Sequence, residues 1–78
     1  MISLEIGECC KLTLKLNDNI LTYTCVVVNI SDDTVTFIDK FGHEWEYKRE
    51  VIIGKQYVDN TLLKSQLLNY LKNYENGN

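Results

Sequence analysis

A run of alternating side chains interrupted by one glycine, residues 34–53, most constrains what this chain can fold into. Val35 and Phe37 occupy every second position before the glycine, which is the period of two expected of a half-buried strand. Gly42 then allows a reversal, because glycine adopts positive φ without a steric penalty. On the return, Trp45 and Tyr47 alternate with charged residues. The run therefore predicts a β-hairpin.

Two further strands are predicted before this hairpin. Residues 9–16 show the cleanest alternation in the chain, with leucines on one face and lysines on the other. Residues 20–30 predict a longer strand whose apolar positions change phase near Cys25. Either a bulge or bend near Cys25 turns both sets of side chains inward, or both faces of the strand are covered. The bend is the preferred interpretation.

The last third of the chain predicts a short strand and then a helix. The apolar residues 51–53 form a closing strand that Gly54 ends, and residues 55–58 form a connector. Asp59 or Asn60 is placed to cap a helix that starts near Thr61. Apolar residues at three- and four-residue spacing then make one stripe along this helix.

These elements predict a mainly β fold, a small, strongly bent five-stranded barrel followed by a C-terminal α-helix. Closure into a barrel removes most strand edges and lets a short chain enclose a core. The predicted segments are a barrel over 1–58, a helix over 59–75 that packs on the barrel or at a subunit interface, and a frayed tail over 76–78.

This succession resembles the small five-stranded barrels of the SH3-like and Sm-like class. The resemblance covers about residues 9–54. It is carried by residues 11–16, the turn 17–19, the bent run 25–28 and the hairpin segment 35–42. The resemblance implies the barrel architecture, and the pattern does not distinguish an SH3-like from an OB-like strand order.

The RNA signature of the Sm-like family is not matched here. That family binds single-stranded RNA as a ring, through an Asp-x-aromatic/Met-Asn signature and an Arg-Gly or Lys-His pair. The corresponding loop, residues 31–34, has no Asn after an apolar residue, and Lys48-Arg49-Glu50 has neither Gly nor His. The resemblance therefore implies a shared fold without that RNA pocket.

Composition weighs against several functions. The chain has 8 basic and 11 acidic residues and a net charge of −3, whereas domains that bind nucleic acid by bulk electrostatics are usually basic. RNA is therefore a possible but disfavoured partner. No apolar run is long enough to span a membrane, the first residues lack a signal-peptide pattern, and the three cysteines make a poor disulfide framework. A cytoplasmic protein is expected.

No constellation of residues predicts catalysis, a metal or a cofactor. Cys9 and Cys10 point to opposite faces of one strand, and the chain has no Cys-x-x-Cys spacing. His43 is the one histidine, and Glu44 beside it faces away. Trp45 and Tyr47 either fill the core beside Phe37 or form a surface for bases or a peptide, and the core is preferred.

The leading prediction is a non-enzymatic protein-interaction module that also self-associates through its C-terminal helix. Its small size suits a regulator or inhibitor encoded by a phage or mobile element. The alternative is a divergent Sm-like oligomer that binds single-stranded RNA. The predicted partner-binding residues are Phe41, His43, Lys48, Arg49, Leu62, Tyr70 and Tyr74.

Overall fold

The computed structural model describes residues 2–77, which form five strands, one 3₁₀ turn and one helix. In chain order these are β1 (Cys9–Leu16), β2 (Asn19–Ile30), β3 (Thr34–Asp39), β4 (Glu44–Lys48), the 3₁₀ turn (Arg49–Val51), β5 (Ile52–Tyr57) and α1 (Thr61–Glu75). The predicted mainly β fold with a helix at its C-terminal end is confirmed. Met1 and Asn78, at the ends of the predicted segments 1–58 and 76–78, lie outside the described residues.

All five strands belong to one antiparallel sheet of order β4-β3-β2-β1-β5. Strands β1 to β4 follow one another as hairpins, and β5 returns to pair with β1. Within residues 2–77 no ladder joins β4 to β5, so the sheet is not closed. Closure into a barrel stays a prediction, whereas the five antiparallel strands are established.

Strand β1 has the predicted faces. Leu12 and Leu14 are fully buried, while Lys11 and Lys15 on the opposite face are exposed. The hairpin to β2 turns through Asn17 at φ 56°, a left-handed conformation that asparagine tolerates better than most residues.

Strand β2 has apolar side chains on both faces, and the preferred bend near Cys25 is wrong. The pairing of β1 with β2 continues without a shift through Cys10 and Cys25, and the bulge lies further on, between Val27 and Asn29. Cys25 and Val27 enter one apolar cluster, while the alternating Val26 and Val28 enter another. Both faces are covered, because the helix lies over the second one.

The core therefore has two parts, one on each face of the sheet. The larger cluster has Phe37 and the leucines of β1 at its centre. Its buried members are Leu4, Cys10, Leu12, Leu14, Cys25, Val27, Val35, Phe37 and Ile52. The smaller cluster lies under the helix and consists of Cys9, Val26, Val28, Ile38 and Leu67.

Aromatic side chains extend the larger cluster toward the edge of the sheet. Trp45 and Tyr47 are half-buried and pack against the cluster. The Tyr47 ring stacks on Phe37 with centroids 5.9 Å apart, and its hydroxyl lies 2.8 Å from that of Tyr23. These residues cover the core, as the preferred interpretation has it, and leave part of each ring in solvent.

Strand β5 is longer than predicted. The glycine expected to end it, Gly54, pairs with Thr13, and the ladder with β1 continues to Tyr57 opposite Cys10. Cross-strand pairing overrides the low intrinsic strand preference of glycine, which is a weak constraint beside tertiary context.

The helix is capped and packed as the apolar stripe predicts. The side chain of Asn60 accepts a hydrogen bond from the backbone N–H of Leu63 at 2.9 Å. Leu67 is fully buried against the sheet, whereas Leu62 and Leu68 are 83% and 43% exposed. No helix within residues 2–77 has the length and apolarity to cross a membrane.

Candidate protein-interaction site

The turn between β3 and β4, residues 39–43, is organised around the carboxylate of Asp39; we call it the Phe41 turn. Asp39 Oδ1 accepts hydrogen bonds from the backbone N–H of Phe41 at 2.9 Å and of His43 at 3.0 Å. Its Oδ2 accepts one from the indole Nε1 of Trp45 at 2.9 Å. Three donors thus fix one carboxylate, and the carboxylate fixes the turn.

Asp39 is buried, yet its charged form is favoured. Burial by itself raises the pKa of Asp39, but hydrogen bonds from the Trp45 indole and from the N–H groups of His43 and Phe41 outweigh it. The pKa of this carboxyl therefore lies below its ordinary value. A charge-assisted hydrogen bond is stronger than a neutral one, which makes this anchor stiff.

The turn backbone is held from the strand side as well. Gly42 has φ +85° and donates its N–H to the Asp39 carbonyl at 2.9 Å. The N–H of Lys40 donates to the carbonyl of Thr24 on β2, also at 2.9 Å. The glycine is needed because this left-handed conformation disfavours residues that carry a Cβ.

The helix holds the other side of the Phe41 turn. Gln66 Nε2 donates to the carbonyl of Lys40 at 3.1 Å and to the Tyr70 hydroxyl at 2.9 Å. The Tyr70 ring lies 3.6 Å from the place that a Cβ would occupy on Gly42. The turn therefore has contacts with β2, with Trp45 of β4 and with α1.

Phe41 itself is left in solvent at the tip of this fixed turn. Its side chain is 72% exposed, and the Lys40 ammonium lies 5.4 Å from its ring centroid. The side chain of His43 is 71% exposed, with Nδ1 4.0 Å from Asp39 Oδ2. An aromatic residue presented in this way loses little conformational freedom on binding, which favours its use as an anchor.

A shallow depression lies on each side of the turn. One, of about 250 Å³, is lined by Thr22, Tyr23, Thr24, Asp39, Lys40 and Phe41. The other, of about 210 Å³, is lined by Ile38, Gly42, Glu44, Tyr70, Asn73 and Tyr74. The Phe41 turn and these two depressions form one surface, which we call the turn surface.

The predicted binding residues divide into separate groups in the structure. Phe41, His43, Tyr70 and Tyr74 belong to the turn surface. Lys48 lies at the opposite end of β4, where it pairs with Thr34 of β3. Leu62, in the first turn of the helix, belongs to neither place.

Lys48 and Arg49 line a third depression, of about 260 Å³, whose other lining residues are Asp32, Asp33 and Glu50. The backbone N–H of Arg49 donates to the Asp33 carbonyl at 2.8 Å. Its side-chain Nε is buried and has no hydrogen-bond partner among residues 2–77. Acidic residues outnumber basic ones here, so a phosphate group would meet repulsion as well as attraction.

Two residues that hold the Phe41 turn, Asp39 and Gln66, are not among the predicted binding residues. A local signal exists for Asp39, because an aspartate at a strand end often accepts hydrogen bonds from the backbone two residues on. Gln66 contacts a residue 26 positions away, and no local pattern signals such a contact.

The three cysteines lie inside the two apolar clusters as free thiols. Cys10 and Cys25 face each other across β1 and β2. Burial raises the pKa of the Cys9 thiol. In the described part of the chain no group of three or more His, Cys, Asp and Glu side chains could hold a metal ion.

Comparison with protein-family models, with curated proteins and with solved structures found no match to this chain. Any function of this chain must therefore be inferred from its own residues and geometry.

Proposed function

We propose that this chain is a non-enzymatic protein-interaction module that contacts its partner through the turn surface. The observation that carries the proposal is the 72% exposure of Phe41 on a turn held by Asp39, Thr24 and Gln66. Exposed aromatic anchors on rigid elements are typical binding hot spots. Tyr70 and Tyr74 enlarge the surface with half-buried rings that a partner can cover.

A strongly bent, barrel-like sheet of the SH3-like class is part of the same proposal. Ile52 of the edge strand β5 and Trp45 and Tyr47 of the opposite edge strand β4 all pack on one apolar cluster. A flat five-stranded sheet would hold its two edges far apart, so the shared cluster supports a bent one. The role of a small regulator or inhibitor stays a prediction from size.

The experiment that tests the interaction proposal compares three immobilised forms of the chain: wild type, Phe41→Ala and Ile53→Ala. Ile53 is 50% exposed and lies on β5, away from the turn. Ile53→Ala is therefore the control, because it also removes an exposed apolar side chain but leaves the turn unchanged. Each form is incubated with an extract of the source cells, and retained proteins are identified by mass spectrometry.

We expect at least one protein that wild type and Ile53→Ala retain and Phe41→Ala loses, with affinity lowered at least about tenfold on titration. Equal retention by all three forms, confirmed by equal affinities, would overturn the proposal. Circular dichroism of the three forms separates loss of binding from loss of fold.

The RNA-binding oligomer is the weaker alternative. Lys48 and Arg49 share their depression with three carboxylates, and the chain carries a net charge of −3. Gel filtration with light scattering and absorbance at 260 and 280 nm tests it directly. A ring-sized species with bound nucleic acid would favour this alternative, and unchanged RNA affinity after Lys48→Ala and Arg49→Ala would reject this site.

Self-association through the helix also stays a proposal. Leu62 and Leu68 are the exposed leucines, six positions apart and therefore about 120° apart around the helix axis. They do not form one continuous stripe, because the other apolar side chains pack on the sheet. If the helix mediates a dimer, Leu62→Ser with Leu68→Ser should reduce the mass measured by light scattering to that of a monomer.

A further inference from the structure

The outer edge of β4 begins directly after the Phe41 turn and is not paired with another strand in the described part of the chain. Strand β4 pairs with β3 on one side, and no other strand within residues 2–77 pairs with its second side. A free strand edge offers a row of backbone donors and acceptors to another extended chain. This edge is therefore a surface that an added strand can complete.

The hydrogen-bond pattern tells which backbone groups point outward. The N–H of Asp39 donates to the carbonyl of His43 at 2.9 Å, so these two residues form a hydrogen-bonded pair. Such pairs alternate along an antiparallel ladder. Trp45 and Tyr47 therefore bond to β3, whereas the N–H and C=O groups of Glu44 and Glu46 point to the free side.

The side chains along this edge have a distinct charge. Glu44 and Glu46 are exposed on one face of β4, and neither has an ion-pair partner within residues 2–77. Glu46 accepts a long hydrogen bond of 3.4 Å from the hydroxyl of Thr34. Trp45 and Tyr47, half-buried, occupy the other face. Exposed Lys48 follows on the same face as Glu44 and Glu46, at the end of the strand. One face of the edge thus carries two carboxylates and then one ammonium, and the other face is aromatic.

A second copy of this chain complements this edge less well than a basic segment would. Antiparallel pairing of two β4 strands centred on Glu46 would place Glu44 of each copy opposite Lys48 of the other, which attracts, but Glu46 opposite its own copy, and like charges directly opposite are destabilising. Pairing of β4 with β5 of another copy brings Lys55 as the one basic residue of that strand, and Lys55 already lies 2.9 Å from Glu8. A segment with a basic residue opposite each of Glu44 and Glu46 avoids the like-charge contact at Glu46 and therefore complements the edge better than a second copy does.

We propose that the free edge of β4 binds an extended basic segment of a partner protein by strand addition. Lysine or arginine at alternate positions of that segment faces Glu44 and Glu46, and aliphatic residues between them contact Trp45 and Tyr47. The inference rests on the proposed function in that the ligand is a protein and that Glu44 also lines the turn surface, and it names the chemistry and mode of binding.

The probe is a blocked seven-residue peptide of alternating lysine and valine, titrated into the ¹⁵N-labelled chain and followed by NMR. We expect changes in the amide chemical shifts that centre on Glu44 and Glu46, and slower hydrogen exchange of these two amides. We also expect the affinity for the peptide to decrease as the salt concentration rises. The same peptide with glutamate in place of lysine should bind at least about tenfold more weakly, since its carboxylates are repelled by those of Glu44 and Glu46.

Three variants sharpen the test. Glu46→Lys should weaken binding at least about fivefold, while Glu75→Lys makes the same charge change on the helix and should leave it unchanged. Glu46→Pro removes an N–H that points away from β3 and should abolish binding, since proline is tolerated at such edge positions. If the proline variant unfolds, the comparison of peptide affinity between Glu46→Lys and Glu75→Lys still tests the proposal.

Equal affinity for the lysine and glutamate peptides, shifts confined to another element, or no shift at millimolar peptide would overturn the inference. So would protection of the Glu44 and Glu46 amides without peptide in a chain that light scattering shows to be oligomeric, because a second copy would then occupy the edge. None of these results concerns the partner whose retention depends on Phe41, so each proposal can fail alone.

Discussion

The indole Nε1 of Trp45 donates a hydrogen bond to Oδ2 of Asp39 across 2.9 Å, from the strand that leaves the Phe41 turn to the strand that enters it. Since Oδ1 of the same carboxylate accepts from two backbone N–H groups of the turn, Asp39 connects the half-buried aromatic cluster to the exposed tip. Loss of that carboxylate should therefore affect both stability and the position of Phe41.

Substitution of Asp39 with alanine should lower the free energy of unfolding by about 3 kcal/mol, because three donors lose a charged acceptor. Asp39→Asn retains one carbonyl acceptor and should lower it less. Urea denaturation of wild type and both variants measures the difference. A loss below about 0.5 kcal/mol for Asp39→Ala would show that solvent replaces the carboxylate at little cost.

Stability should fall in acid. The pKa of Asp39 is lowered in the folded state, as is that of Glu8, where hydrogen bonds and the charge of Lys55 outweigh burial. Above the ordinary carboxyl range both folded and unfolded chains are ionised, and the stabilisation is complete. As the pH falls below it, the unfolded chain takes up protons first, so stability declines through the lowered folded-state pKa values.

The measurement for this prediction is the urea midpoint between pH 7 and pH 2. The decline should be shallower in Asp39→Asn than in wild type, because that variant lacks one of the carboxylates concerned. Parallel curves for the two proteins would mean that Asp39 does not contribute to the acid sensitivity.

The stability of the fold should also decrease at alkaline pH, because of Tyr23. Burial, and then the hydrogen bond with Tyr47, raise the pKa of Tyr23 from 10.0 to about 12. The stability linked to a protonated Tyr23 is complete below pH 10 and is lost as the pH rises toward 12. Tyr23→Phe should remove this dependence, measured by denaturation between pH 8 and pH 12; an unchanged alkaline slope in that variant would contradict the assignment.

Gly42→Ala should destabilise the fold by about 1 kcal/mol through the backbone. A Cβ there would lie at an ordinary contact distance of 3.6 Å from the Tyr70 ring, so the effect comes from the positive φ of 85°. Gly54→Ala is the matched control, because Gly54 has no positive φ and a Cβ there would also lie at an ordinary contact distance, 3.5 Å from the Cβ of Thr13. Of the two substitutions, only Gly42→Ala should lower the midpoint temperature measured by thermal denaturation.

Phe37→Ala should lower the stability of the fold strongly, whereas Phe41→Ala should leave it almost unchanged. Phe37 is fully buried, and its truncation should cost about 3–5 kcal/mol of unfolding free energy. Phe41 is 72% exposed, and its truncation should change stability by no more than about 0.5 kcal/mol. Denaturant titrations check both values, and a large loss in Phe41→Ala would mean that the ring stabilises the turn rather than serving a partner.

Local patterns predicted the elements of this fold well where one face of a strand is buried. The strand at Cys9–Leu16, the reversal at Gly42 and the helix capped by Asn60 follow from alternation, glycine and capping chemistry, all of which act within a few residues. The same patterns end β5 too early at Gly54, because the pairing of Gly54 depends on Thr13, a residue 41 positions earlier in the chain.

The sequence by itself determined which faces are apolar, where the chain turns and that Phe41 lies at a turn. Only the tertiary structure decided what covers each face. Val26 and Val28 are buried because α1 lies over them, and the Phe41 turn is held in part by Gln66 on that helix. Periodicity reports the chemistry of neighbours along the chain, whereas these contacts join residues far apart in sequence, and their energies depend on how the whole sheet and helix pack.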